Sequence, residues 1–210
     1  ATLTIANSTL AHNHAGGTDG GGLFNDGGVI VVSGSTITGN TSSHSGAGIT
    51  SSGRAMLTIT DSTISANNGD KGVGGGGILS CDSTLIITHS TISGNSMGTL
   101  GSGGALYNYH GQLTITDSTV SGNVAEGGGG GLFIDGATAT ISRSVVSRNT
   151  GRSSGGGIYI QGGAVTVTDS SISGNRIFTG AGGGIANTGL LIVTGSTFEA
   201  NDGGGLFNTT

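Results

Sequence analysis

The sequence has few charged residues, a single cysteine, no proline and no tryptophan. Because only 8% of the residues are charged and the net charge is -5, no basic surface exists to neutralise phosphates, and we predict no nucleic-acid partner. The lone Cys81 excludes an intramolecular disulfide, and without cysteine or histidine clusters at ligand spacing we expect no metal site and no cofactor. No apolar run reaches 18 residues, so we predict no membrane insertion.

Glycine is abundant, at 47 residues, and one phrase recurs throughout the chain: Ser-Thr-Ile-Ser-Gly-Asn or a near copy of it. Its final asparagine returns every 26 to 28 residues, at Asn13, Asn40, Asn67, Asn95, Asn123, Asn149, Asn175 and Asn201. A period of this length predicts a solenoid, in which each coil stacks on its neighbours to bury its apolar face. Since the repeat fills the chain, we predict one domain over residues 1–210, with no evident caps.

Each coil carries three short strand signals. Residues 57–60 alternate apolar and polar, residues 62–65 should turn Ser62 and Ile64 inward, and a glycine run at 75–77 leads into the aliphatic Ile78. The corners between these strands are too short for helices. We therefore predict an all-β, right-handed parallel β-helix of about eight coils, with three short strands per coil.

The repeated asparagine is expected to face inward at a tight corner. Its side-chain amide can satisfy buried backbone groups there and can hydrogen-bond to the equivalent amide of the next coil. We interpret the eight asparagines as a structural ladder.

Gly-Gly-Ala-Leu at 103–106 and Phe-x-x-Asn at 198–201 resemble the two short motifs of polymorphic outer-membrane protein repeats, which occur in bacterial surface adhesins. Variants such as Gly-Gly-Gly-Ile and Ile-Ser-Gly-Asn cover every coil. The resemblance implies a surface-exposed β-helix and hence an extracellular or cell-surface location. Low charge, abundant serine, threonine and glycine, and the lack of disulfides fit the same location.

The residue after each third-strand aliphatic should point outward. In most coils it is aromatic or apolar, which predicts an exposed stripe of Phe24, Leu79, Tyr107, Phe133, Tyr159 and Phe207. Shielding of the sheet by loops, lateral packing of rods and stacking on glycans are the three interpretations of this stripe.

A second column, just before the second strand, consists of Asp61, His89, Asp117, Arg143 and Asp169. Parallel β-helices include polysaccharide-degrading enzymes such as pectate lyases, whose sites combine carboxylates with Arg or Lys. Carboxylates two coils apart would be about 9.6 Å from each other, near the upper limit for an inverting glycosidase pair. Acid and base also alternate along the column, which favours simple charge compensation, and we predict no catalytic residues.

The spacing of the repeat continues from the last residues into the first. Leu106 precedes Leu113 by seven positions, and a path from Leu206 through Thr210 into Ala1 and on to Leu3 also gives seven. We predict an extracellular structural solenoid, not an enzyme, forming a subunit or segment of a surface fibre that assembles with itself head to tail. The alternatives are a polysaccharide-degrading β-helix and an adhesin that binds glycans or a host through variable loops at 68–74 and 96–102.

Overall fold

A computed structural model describes residues 1–209 as one continuous parallel β-solenoid, which confirms the predicted fold class. The chain passes in turn through four sheets, here named A, B, C and D, and then returns to sheet A one level higher. Every strand pairs in parallel with the equivalent strand of the adjacent coil. Residues 1–209 contain no helix, and so none that could span a bilayer.

Sheets A and B contain the first and second predicted strands, in eight copies each. The strands of sheet A are Thr2–Ala6, Val29–Ser33, Met56–Thr60, Thr84–Thr88, Gln112–Thr116, Thr138–Ser142, Ala164–Thr168 and Leu190–Thr194. The strands of sheet B are Thr9–Ala11, Thr36–Thr38, Thr63–Ser65, Thr91–Ser93, Thr119–Ser121, Val145–Ser147, Ser171–Ser173 and Thr197–Glu199. We number the coils 1 to 8 in this order.

Sheet D contains the third predicted strand, and sheet C is an addition to the prediction. The strands of sheet C are His14–Ala15, Thr41–Ser42, Asn68–Gly69, Ser96–Met97, Val124–Ala125, Thr150–Gly151 and Arg176–Ile177. The strands of sheet D are Leu23–Asp26, Ile49–Ser52, Ile78–Cys81, Leu106–Tyr109, Leu132–Asp135, Ile158–Gln161, Ile185–Asn187 and Leu206–Asn208. Each coil of the central part therefore has four strands, since a two-residue strand follows each ladder asparagine.

The core consists of aliphatic columns that run along the axis of the solenoid. In coil 3, Leu57 and Ile59 from sheet A, Ile64 from sheet B and Ile78 from sheet D are all fully buried. Equivalent residues of adjacent coils stack in register, as Leu57 does on Leu85 and Ile64 on Ile92. Period-two alternation places the intervening threonines on the outer surface.

The corners on either side of sheet B each contain one residue in the left-handed region. Between sheets A and B, Asn7 has φ 49° and Asp61 has φ 49°; between sheets B and C, Ala66 has φ 52° and Gly94 has φ 61°. Glycine, asparagine and aspartate adopt this conformation at the lowest cost. The left-handed residue turns the chain sharply enough that no loop is needed, so the ladder residues that follow it keep the same position in every coil.

Candidate functional site

The eight repeat asparagines form one ladder at the corner between sheets B and C. At each step the backbone N–H and the Nδ2 group of one asparagine donate to the Oδ1 atom of the asparagine in the next coil, at 2.9 to 3.0 Å. The Nδ2 group also donates to a carbonyl of the preceding coil, as Asn95 does to Ile64. From Asn40 to Asn175 the ladder is completely buried. Its amides hold the coils together and are not accessible to a ligand.

A serine ladder, which sequence reasoning did not recognise, runs beside the other end of sheet B. The backbone N–H of each serine donates to the Oγ atom of the serine in the next coil at 3.0 to 3.1 Å, and the hydroxyl donates to the carbonyl two residues earlier. The members are Ser8, Ser35, Ser62, Ser90, Ser118, Ser144, Ser170 and Ser196. The signal was available in the sequence, because each serine lies five residues before a ladder asparagine.

The charged column occupies the left-handed corner between sheets A and B. Asp61, His89 and Asp117 have φ of 49°, 46° and 49°, and Arg143 and Asp169 have φ of 46° and 48°. The same position holds Asn7, Gly34 and Gly195 in the other coils. Aspartate tolerates this backbone better than most residues, so the conformation of the corner accounts for its recurrence.

Within this column, Asp117 forms a bidentate ion pair with Arg143. The Nε–Oδ1 distance is 2.8 Å and the Nη2–Oδ2 distance is 2.9 Å, with the Nε2 atom of His89 3.8 Å from Oδ2. The Arg143 guanidinium lowers the pKa of Asp117. A general acid for glycoside cleavage needs a raised carboxyl pKa, so this geometry gives no support to catalysis by Asp117.

The aromatic stripe faces outward from sheet D, but its expected exposure is wrong for the central coils. Leu79, Tyr107 and Phe133 are buried in a small cluster of their own, and Tyr159 is half-buried beside them. Phe133 packs edge-on against Tyr107 and Tyr159 at ring-centroid distances of 4.8 and 5.0 Å. Only Phe24 and Phe207, in the two terminal coils, are well exposed.

The glycine runs explain this burial, because they fold back over the outer face of sheet D. A Cβ atom on Gly46 would lie 3.1 Å from the Leu79 Cβ, and one on Gly128 would lie 2.7 Å from the Tyr159 ring. Burial and a hydrogen bond from its hydroxyl to Asp135, at 2.8 Å, raise the pKa of Tyr107. Burial likewise raises the pKa of the Cys81 thiol to about 11. The loops thus shield most of the stripe from glycans and from neighbouring rods.

A polar cleft that sequence reasoning missed lies at the corner between sheets D and A. Its volume is about 260 Å³, and its lining includes Arg54, Asp82 and His110 from three successive coils. The Tyr109 ring stacks on the His110 ring at 3.9 Å between centroids. No sequence motif marks this cleft, since its three charged or titratable members occupy left-handed positions that are glycine in other coils. Among residues 1–209, no three His, Cys, Asp or Glu side chains come together as a metal ion requires.

Comparison with known proteins identifies the family of the chain. The family model described as "Right handed beta helix region" matches residues 103–210, slightly more than half of the chain. The chain belongs to this right-handed β-helix family. The family assignment supports the predicted right-handedness of the β-helix. No curated protein and no solved structure matched the chain.

The terminal coils of the β-helix leave each ladder with an open group, and the two ends are complementary. Within residues 1–209, Asn13 Oδ1 accepts no hydrogen bond and the Asn201 backbone N–H donates none. Side chains at core positions are also exposed in the terminal coils: Leu3 is 45% exposed and Leu206 is 47% exposed, whereas their counterparts in coil 3, Leu57 and Ile78, are fully buried.

Proposed function

We propose that this right-handed β-helix is an extracellular structural solenoid, a segment of a surface fibre in which successive units stack end to end. The observation that carries the proposal is the complementarity of the two terminal coils. Asn13 presents the acceptor that every other ladder asparagine offers to its predecessor, and Asn201 presents the matching donor. A heterologous contact along the axis of a rod has no closure, so it propagates as a fibre.

The open core columns support the same proposal. Unpaired strand edges with apolar side chains are a template for pairing with another chain. The first coil exposes Leu3 and the last exposes Leu206, at positions that are fully buried in the central coils. Stacking one unit on another would return both leucines to the environment that their counterparts already have.

Negative-stain microscopy of the 210-residue chain over a concentration series tests end-to-end stacking. We expect filaments of uniform width whose length increases with concentration. Leu206→Lys should abolish the filaments, because it places a charge in an inward column at the end face. Leu190→Lys is the matched control in the same coil: Leu190 is 59% exposed but lies on the outer face of sheet A, so filaments should persist. Short rods at every concentration would overturn the proposal.

We propose glycan binding as a second candidate function, on the evidence of the corner cleft. Arg54, Asp82 and His110 offer hydrogen-bond donors and acceptors side by side, and no ion pair within residues 1–209 occupies Arg54 or Asp82. The stacked Tyr109 and His110 rings supply an aromatic surface next to these groups. Screening of a glycan array with the wild-type chain and with Asp82→Asn tests this role. We expect binding that the variant loses, and an array without hits would exclude it.

A further inference from the structure

The most exposed large apolar side chain of the β-helix is Leu100, which is 78% exposed at the tip of the loop between sheets C and D of coil 4. The loop is a tight turn, closed by a hydrogen bond from the Gly101 N–H to the Gly98 carbonyl at 2.9 Å. Its two central residues, Thr99 and Leu100, both have positive φ, at 37° and 65°. Such turns normally hold glycine or asparagine, and strained backbone of this kind is enriched at functional contacts.

A hollow of about 320 Å³ lies on the same side of the rod, two coils above Leu100. Its walls are Val124 and Ala125 in coil 5 and Phe178 and Thr179 in coil 7, and the Arg152 side chain of coil 6 lies between them. Val124 is 41% exposed and Phe178 is 61% exposed. The hollow is thus a depression centred on coil 6, lined by apolar side chains and by the Glu126–Arg152 ion pair, and large enough to receive a leucine side chain.

We propose that two copies of the chain associate side by side and antiparallel through this loop face, each inserting Leu100 into the hollow of the other. The positions are self-complementary about coil 5, since a two-fold axis at that level exchanges coil 4 with coil 6 and coil 3 with coil 7. The same operation brings Val73 of coil 3, which is 60% exposed, opposite Phe178 of coil 7 in the second copy. The three most exposed large apolar side chains of residues 1–209 are thereby used in one contact.

The charges near the axis do not oppose this pairing. Glu126 of coil 5 would face its own copy, but its carboxylate is paired with Arg152 at 3.0 Å. Arg176 likewise pairs with Asp202 at 3.3 Å and lies 4.9 Å from the Phe178 ring centroid. The centre of the face is therefore close to neutral, so repulsion between two copies is small.

The size of the face predicts a weak contact. Coils 3 to 7 span about 19 Å along the axis, and a strip of this length and roughly 15 Å width buries in total well under the 1,200 Å² typical of stable complexes. A dissociation constant above about 1 μM is expected for such an area. The proposal does not depend on end-to-end stacking, because the loop face lies on the side of the rod.

Analytical ultracentrifugation in the Leu206→Lys background, where end stacking is blocked, tests the pairing. We expect a monomer–dimer equilibrium, and Leu100→Asp should raise the dissociation constant at least about tenfold. Phe178→Ser, which removes a wall of the hollow, should weaken the dimer in the same direction. Met56→Asp is the control, since Met56 is 42% exposed on the outer face of sheet A, away from the loop face, and should leave the equilibrium unchanged.

Disulfide trapping separates the antiparallel arrangement from its alternatives. In a Cys81→Ser background, chains with Thr99→Cys in coil 4 and chains with Ser153→Cys in coil 6 should form a mixed dimer on oxidation. Homodimers of the Thr99→Cys chain alone would show a parallel contact and overturn the proposal. A monomer at all concentrations, or a dimer that Leu100→Asp does not weaken, would overturn it as well.

Discussion

The two sides of each coil are held together by different means. Around sheet B, side chains connect the coils, because serine and asparagine ladders satisfy the backbone at both corners. Between sheets C and D, glycine runs bring the backbone of one coil directly against that of the next, as where Gly77 N–H donates to the Gly104 carbonyl. The ladder side is therefore uniform from coil to coil, whereas the glycine side can vary in loop length and can carry the hollow beside Phe178.

Adding a side chain on the glycine side, between sheets C and D, should cause the largest loss in the free energy of unfolding. A Cβ atom on Gly76 would lie 2.2 Å from the Ser96 carbonyl oxygen and 2.7 Å from that of Gly104. Since both neighbours are backbone, the strain cannot be relieved by a rotamer change, and Gly76→Ala should lower the free energy of unfolding by about 3 kcal/mol or more. Guanidinium titration followed by circular dichroism measures the loss.

Gly17→Ala is the matched control on the same side. A Cβ atom at Gly17 has nothing within 4 Å, and its φ is not positive. Its stability should stay within about 0.5 kcal/mol of wild type. Equal effects of the two substitutions would show that close backbone packing does not hold this side together.

Removal of an internal ladder asparagine should also lower the free energy of unfolding. Asn95→Ala leaves the fully buried Asn67 N–H without its acceptor. It also removes the hydrogen bond from Asn67 Nδ2, which still donates to the Ile37 carbonyl, and the one that Asn95 Nδ2 donates to the Ile64 carbonyl. Because an orphaned buried donor costs about 1–3 kcal/mol and each further lost hydrogen bond about 1 kcal/mol, we expect a loss near 3 kcal/mol in the same titration. Asn13→Ala, in the terminal coil, removes only the Nδ2 donor to Asn40 Oδ1, which still accepts from the backbone N–H of residue 13, and should cost about 1 kcal/mol. Similar losses at both positions would argue against a ladder that depends on burial.

The serine ladder should contribute less per residue than the asparagine ladder. Ser118 Oγ accepts from the Ser90 N–H at 3.1 Å and donates to the Thr116 carbonyl at 2.7 Å, so Ser118→Ala removes two hydrogen bonds. We expect a loss of about 1–2 kcal/mol, measured by chemical unfolding. Ser121→Ala, on the outer face of sheet B, is the control and should be nearly neutral. A neutral Ser118→Ala would mean that this corner is held by its left-handed backbone alone.

The contrast between the two sides also decides what the sequence could predict. The period and the alternation in residues 57–60 were enough for sheets A, B and D, because a buried strand shows its pattern locally. The strands of sheet C were missed, since pairs such as Asn68–Gly69 and Thr150–Gly151 are too short to alternate.

Site residues were harder to interpret because their surroundings come from other coils. The spacing correctly predicted that the Tyr107 side chain points outward from sheet D, but it could not show that a glycine run covers the ring. Likewise, Asp61 and Asp117 suggested a catalytic site, because the sequence does not show that their corner has a positive φ, which aspartate tolerates. The corner cleft was missed for the same reason, since Arg54, Asp82 and His110 are brought together only by stacking.

The smallest effect should come from the Asp117–Arg143 ion pair at the corner between sheets A and B. Its pH dependence tests whether charge helps to stabilise that corner. The pKa of Asp117 is lowered in the folded state by Arg143, so the pair stabilises the fold above the pKa of the unfolded carboxyl, near pH 4. This contribution is lost as the pH falls through the lower folded-state pKa. The pair is on the surface, so the contribution is small and should be screened by salt.

Comparison of wild type with Arg143→Gln therefore has a defined outcome. The difference in unfolding free energy should be positive but small at pH 7 and low salt, and it should disappear at pH 2 or in 1 M salt. Arg148→Gln is the control, because Arg148 lies in the next corner and makes no ion pair within residues 1–209. A difference that persists at pH 2 would mean that Arg143 stabilises the corner by packing its aliphatic stem, and that the charge of the column is incidental to the cohesion of the coils.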